Sequence, residues 1–331
     1  MTVQTGDILV KIDDRVRLMA ALLAATDFPQ REWERHPHGT HMHARITRKH
    51  VAPFAAHPAV VIAQHLLDDG VPLESLFGLA LSFDAETFTV ESSPAWLPPA
   101  FLPHLRDFLF ATDLVSLWQD EPAWDIGLSA IQQVLGHARI RDFMRPFLGE
   151  ISETLVFLPN LCFPTDREVN VRVGGQLVVI APPRVAWGES PPWEYKDDPA
   201  HLIRAAILGY SELLMSPYLA RHADTLVNVS KTALPLNEQL LAQFPTWAAQ
   251  FNAVFGVAAV AMYLEDYMNK REAEAYALLE RKTRGIDILP AAISVLRRYQ
   301  AEVASGKYKE IADLLPVFPM QLKVARRLKM L

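Results

Sequence analysis

The chain has 331 residues, of which 50% are apolar and 21% charged, enough to bury a sizeable core and the wrong balance for a disordered chain. Its 32 basic and 38 acidic side chains give a formal net charge of −6, which argues against a protein that coats nucleic-acid phosphates. The single cysteine, Cys162, excludes an intramolecular disulfide and a cysteine-based zinc site.

At about 150 residues per domain, the length allows one large domain or two intimate ones. Asp7, Asp13 and Asp14 precede the first apolar run, and no small-residue cleavage site follows, so no secretory signal is expected. Arg15 to Thr26 carries a helical apolar face through Val16, Leu18, Met19, Leu22 and Leu23, and Asp27-Phe28-Pro29 stops it. Further helices are predicted over His57–Leu67, Leu73–Leu81, Leu102–Trp118 and, as one or two pieces, Asp125–Leu148. Between the first two helices the stretch His36-Pro-His38-Gly-Thr-His41-Met-His43 reads as a solvated loop. Its alternating imidazoles suit zinc, copper or nickel, but arginines surround it and no carboxylate lies between His36 and His65.

The pattern then changes period. Thr154–Pro159, Glu168–Val173 and Leu177–Ala181 are rich in strand formers, and Gly174-Gly175 between two β-branched runs signals a hairpin burying Val169, Val171 and Val173. Helices return from Pro199 to about Leu214, ahead of Pro217 or kinked there. They are predicted again over Pro245–Tyr267, Lys270–Lys282, Leu289–Val303 and Tyr308–Leu315. The longest apolar run, Ala253–Leu264, falls short of the about 20 residues of a membrane span, so a soluble cytoplasmic protein without a membrane or nucleic-acid partner is expected. Helices, one small antiparallel sheet in the middle of the chain, then helices again make a predominantly helical α+β fold. A helical part over 1–150 and a second part over 151–331 are expected to form one continuous compact unit.

No GxGxxG and no GxxxxGK[ST] occurs. The nearest approach to a nucleophile elbow is Gly209-Tyr210-Ser211-Glu212-Leu213, where Leu213 replaces the second glycine and the surroundings read as mid-helix. Cys162, among apolar neighbours, reads as core rather than as a thiolate.

The order of a hairpin, a loop with Trp187 and Trp193, and a long helix from Pro199 is that of zincin metallopeptidases, whose helix carries HExxH. With Pro53-Phe-Ala-Ala-His57-Pro58, Gly285-Ile-Asp-Ile-Leu, Leu296-Arg-Arg-Tyr299 and Lys307-Tyr308, the chain resembles a family of bacterial zincin-like proteins with a domain of unknown function, over about Leu18 to Leu322. Matching Ser216-Pro217 to that family's Asn-Pro puts Leu208 and Glu212 where the two histidines stand and Gly209 where the glutamate base stands. The third ligand would fall near Phe251-Asn252, where there is no carboxylate. A catalytic zinc wants three protein ligands and a water, so no catalytic residue, metal or other cofactor is expected at these positions. The resemblance thus implies a degenerate metallopeptidase, a pseudoenzyme with a binding or regulatory role. Tyr210, Ser211, Glu212, Trp187, Trp193 and Tyr195 would line the former cleft, which would take a peptide or protein by strand addition. The alternative is a zinc-dependent peptidase with a rearranged site drawn from His201, Glu212, His222 or His36, His38, His41 and His43. His201 and His222 lie about 10 to 17 Å along the helix axis from Glu212, and Glu265 sits about three turns past the expected ligand position.

Overall fold

The computed structural model describes residues 6–35, 37–119, 123–162, 167–184, 190, 192–229, 231 and 233–328. The chain divides into two compact units: Met1–His137 with Thr154–Leu202, and Ala138–Glu153 with Ile203–Leu331. All four strands lie in the first of these units.

The α+β, mostly helical class is as expected. The sheet is not purely antiparallel but mixed, with four strands in the order β1-β2-β4-β3. These are β1 (Ile8–Val10), β2 (Thr154–Pro159), β3 (Val169–Val173) and β4 (Gln176–Ala181). The hairpin pairs antiparallel, Val171 opposite Val178, as the Gly-Gly signal indicated. β2 runs parallel to β4, and β1 parallel to β2 with Leu9 opposite Val156. β2 and β4 are buried along both faces after their first residue, which fits unbroken apolar runs in a parallel pair. β3 keeps its alternation, with Val169 and Val171 buried and Val173 only half-buried at the hairpin end.

The helix Leu73–Ser82 packs on β3, and Gly78 permits the approach: a Cβ there would stand 3.1 Å from Val171 Cγ1. The helix Asp14–Ala24 buries every residue from Leu18 to Ala24 against its neighbours. Asp13 caps it, and the Arg15 guanidinium grips the Asp13 carboxylate through Nε at 2.9 Å and Nη2 at 2.7 Å. The same guanidinium donates to the carbonyls of Leu81 and Phe83, satisfying the end of the Leu73–Ser82 helix.

Two first-unit helices lie where a loop was expected, Phe28–Arg35 and Met42–Val51. The predicted Leu102–Trp118 helix is two, Phe101–Ala111 and Leu114–Gln119, broken where Asp113 adopts φ +47°.

The second unit is helical. Pro199–Arg221 enters it at Ile203 and runs through Pro217 without stopping. Its central helix, Trp247–Tyr267, is buried from Val254 to Leu264 and packs against Lys270–Thr283 and Leu289–Ala304. By length and composition this helix could cross a membrane, contrary to the reading from the apolar run alone, yet 78% of its most apolar window is buried in the structure. Tyr308–Leu315 is not a helix but a short turn, Ile311–Asp313, and the last helix is Phe318–Leu328.

Candidate functional site

The residues matched to HExxH all lie in the second unit. Gly209, Tyr210 and Ser211 are buried, and Glu212 is exposed. The Tyr210 and Ser211 hydroxyls have no hydrogen-bond partner among the described residues, and burial pushes the Tyr210 phenol pKa well up. Leu208 packs beside Gly256, where a Cβ would come within 3.3 Å of Leu208 Cδ2. At the expected third-ligand position, Phe251 stacks on Trp247, and the Asn252 amide donates to Ser216 Oγ at 2.8 Å. A zincin zinc needs three convergent side chains and an open position. A leucine, a glycine and an exposed glutamate do not fit it.

The other proposed ligands are engaged separately. In the first unit, His201 Nε2 lies 3.2 Å from the Pro182 carbonyl. In the second, the His222 ring lies tilted against Tyr218 at 4.4 Å and meets Glu310 at 3.6 Å, and Glu265 pairs with Arg297. His36 and Trp187 lie outside the described residues. Among the described residues, no three or more His, Cys, Asp or Glu side chains gather as a metal-binding group.

In the N-terminal tract, His41 serves the backbone. His41 caps the Met42–Val51 helix, its Nδ1 accepting from His43 N–H at 3.3 Å, and the two rings stack at 5.1 Å. His57, in the Pro-x-x-x-His-Pro stretch, caps Pro58–Asp68 in the same way. Burial above all, then His43 and Arg45 against the opposing pull of Glu194, lowers the His41 pKa to about 4, so its ring stays neutral at physiological pH.

Two of the aromatic cleft candidates stand in the first unit, Trp193 with its N–H on the Arg184 carbonyl and Tyr195 at the carboxyl ends of β2 and β4. Tyr195 is buried there, its hydroxyl donating to the Ala181 carbonyl at 2.6 Å. Its ring walls a cavity of about 180 Å³ together with Ile126, Gly127, Ala130, Leu161 and His41, and Glu194 and Lys196 stand at the same cavity. Gly127 lies against the Tyr195 ring, where a Cβ would make contact at 3.4 Å. Ile126, 59% exposed, leaves apolar surface at the cavity, and Trp193, outside its lining, is half exposed. Near the β2 exit, the buried Cys162 thiol lies 3.4 Å from Asn160 Oδ1, and burial pushes its pKa up to about 12, so it is no ready thiolate.

A second cavity, of about 390 Å³, opens between the helices Phe28–Arg35 and Met42–Val51. Trp33, His38, Thr40, Arg45 and Arg48 are among its walls. His38 and Thr40 belong to the histidine tract singled out in the sequence, whereas Pro29, Gln30 and Trp33 carry no motif. Only the two unexpected helices bring these side chains together.

No family model, curated protein or solved structure matches the chain.

Proposed function

We propose that this is a binding protein of zincin-like descent that hydrolyses nothing, and that its first unit takes a peptide through one apolar side chain seated in the cavity beside Tyr195. The observation that carries the non-catalytic reading is the placement of Tyr210-Ser211-Glu212. Two of these side chains are sunk in the core of the second unit and the third faces outward, so no nucleophile, base and ligand converge there. The peptide reading is supported by the mostly apolar walls of the Tyr195 cavity and by the exposed Ile126 among them. At about 180 Å³ the cavity is below the usual small-ligand range of about 300–1,000 Å³ and suits a single side chain.

Two assays test this. Incubation with an unbiased peptide mixture is expected to give no cleavage, and metal-dependent cleavage abolished by Glu212→Gln would refute the reading. Selection from a displayed peptide library is expected to enrich peptides with one large apolar residue, and Ala130→Phe, which fills the cavity, to end their binding. Recovery of no binding peptide, or binding unaffected by Ala130→Phe, would refute the peptide site.

A further inference from the structure

We propose that the larger cavity of the first unit is an anion site for a phosphate ester carrying a planar ring, in the size class of a nucleoside monophosphate. This site is separate from the Tyr195 cavity and does not depend on the peptide reading.

Arg45 and Arg48 stand one turn apart on the Met42–Val51 helix and both line the cavity. Neighbours at that spacing share a helix face and repel when they carry like charge. Most other arginines of the first unit are paired with an acid: Arg15 with Asp13, Arg17 with Asp14, Arg31 with Asp27 and Asp68, Arg184 with Asp198, and Arg35 and Arg167 with Glu32. Arg45 and Arg48 have no ion-pair or hydrogen-bond partner among the described residues, and no aspartate or glutamate lines the cavity. In a chain of net charge −6, two guanidiniums facing one cavity without an acid form a local field of the opposite sign. A bound oxyanion would relieve their repulsion, and the guanidinium fork matches phosphate oxygens two at a time.

The remaining walls favour a ring over a bare ion. Trp33 offers an indole 41% exposed, and Pro29 and Ala44 add apolar surface. A flat base can stack on such an indole while its phosphate meets the arginines. Thr40 supplies a hydroxyl from the segment leading into the helix for sugar or phosphate oxygens, while the Gln30 amide donates to Glu34 at 2.9 Å. The volume of about 390 Å³ falls within the small-ligand range of about 300–1,000 Å³.

Titration calorimetry with AMP, adenosine and inorganic phosphate tests the site. AMP is expected to bind, inorganic phosphate to bind more weakly and to displace it, and adenosine to bind at least about tenfold more weakly than AMP. Arg45→Ala and Arg48→Ala, both at exposed positions, are each expected to weaken AMP by about tenfold or more. Trp33→Leu is expected to weaken AMP while leaving inorganic phosphate unchanged. Added salt is expected to weaken every anion. Absence of AMP and phosphate binding at millimolar concentration would overturn the proposal. So would adenosine binding as tightly as AMP, or AMP affinity untouched in the double arginine variant. The displacement arm needs no variant, so a misfolded substitution cannot shield the proposal.

Discussion

The Tyr195 hydroxyl donates to the carbonyl of Ala181 at 2.6 Å and accepts from the backbone N–H of Asn160 at 3.2 Å. One phenol thus clasps the ends of β4 and β2, beside the Asn160 N–H bond to the Ala181 carbonyl, and its ring becomes the wall of a cavity. Burial pushes the phenol pKa above its ordinary value against the lowering pull of the Asn160 N–H, so it holds its proton throughout the physiological range. Tyr195→Phe removes the clasp and keeps the wall. It is expected to cost about 1–2 kcal/mol, because Ala181 then loses its best donor while Asn160 N–H keeps its 3.1 Å bond to Ala181. Urea denaturation followed by circular dichroism reads the loss, and peptide selection should be unchanged.

Tyr210 and Ser211 carry the opposite expectation. Each buries a hydroxyl without a partner among the described residues. Tyr210→Phe and Ser211→Ala should therefore be neutral or stabilising by up to about 1 kcal/mol, since an unsatisfied buried polar group costs on that order. A serine nucleophile would behave otherwise: Ser211→Ala would abolish an esterase activity present in the parent protein.

Much of the scaffold around these residues is legible in the sequence. The Gly174-Gly175 hairpin and the long periodic helices follow from local chemistry. β1 was not legible, because Ile8–Val10 is three residues long and is a strand only through its pairing to Leu155–Phe157. The Met42–Val51 helix was missed because its buried face is largely polar, His43 and Thr47 beside Ala44 and Val51, so apolar periodicity was absent. Its cap is a histidine rather than serine, threonine, aspartate or asparagine, so the start signal was absent too. Tyr195 was named from the aromatic content of its loop, whereas Gly127, Ala130 and Leu161, its partners at the cavity, come from a distant helix and a strand end that only folding brings together.

Asp13 and His41 give the first unit an acid-side weakness. Burial alone would raise the Asp13 carboxyl, but the hydrogen bond and charge of Arg15, with Lys11, hold it below its ordinary value of 3.8. Its contribution is therefore complete above that value and is lost as pH falls through the lowered folded pKa. Asp13→Asn is expected to lower stability at pH 7 by roughly 1.5–3 kcal/mol, the scale of hydrogen bonds to a charged group, and to flatten the acid limb.

His41 acts at higher pH. The unfolded chain takes up a proton near the ordinary value of 6.5, whereas the folded chain refuses it until about 4, so stability should fall as pH drops across that window. The slope should stay under about 1.4 kcal/mol per pH unit. His41→Asn keeps a capping acceptor and should remove that slope, read as urea midpoints at pH 7.5, 6 and 5.

The most direct test of the non-catalytic account is the metal content per chain of untagged protein, purified without added metal or chelator. Leu208, Gly209, Glu212 and the scattered His201, His222 and Glu265 lead us to expect metal well below one equivalent. Zinc near one per chain would contradict the account and make His201, Glu212 and His222 the next residues to change.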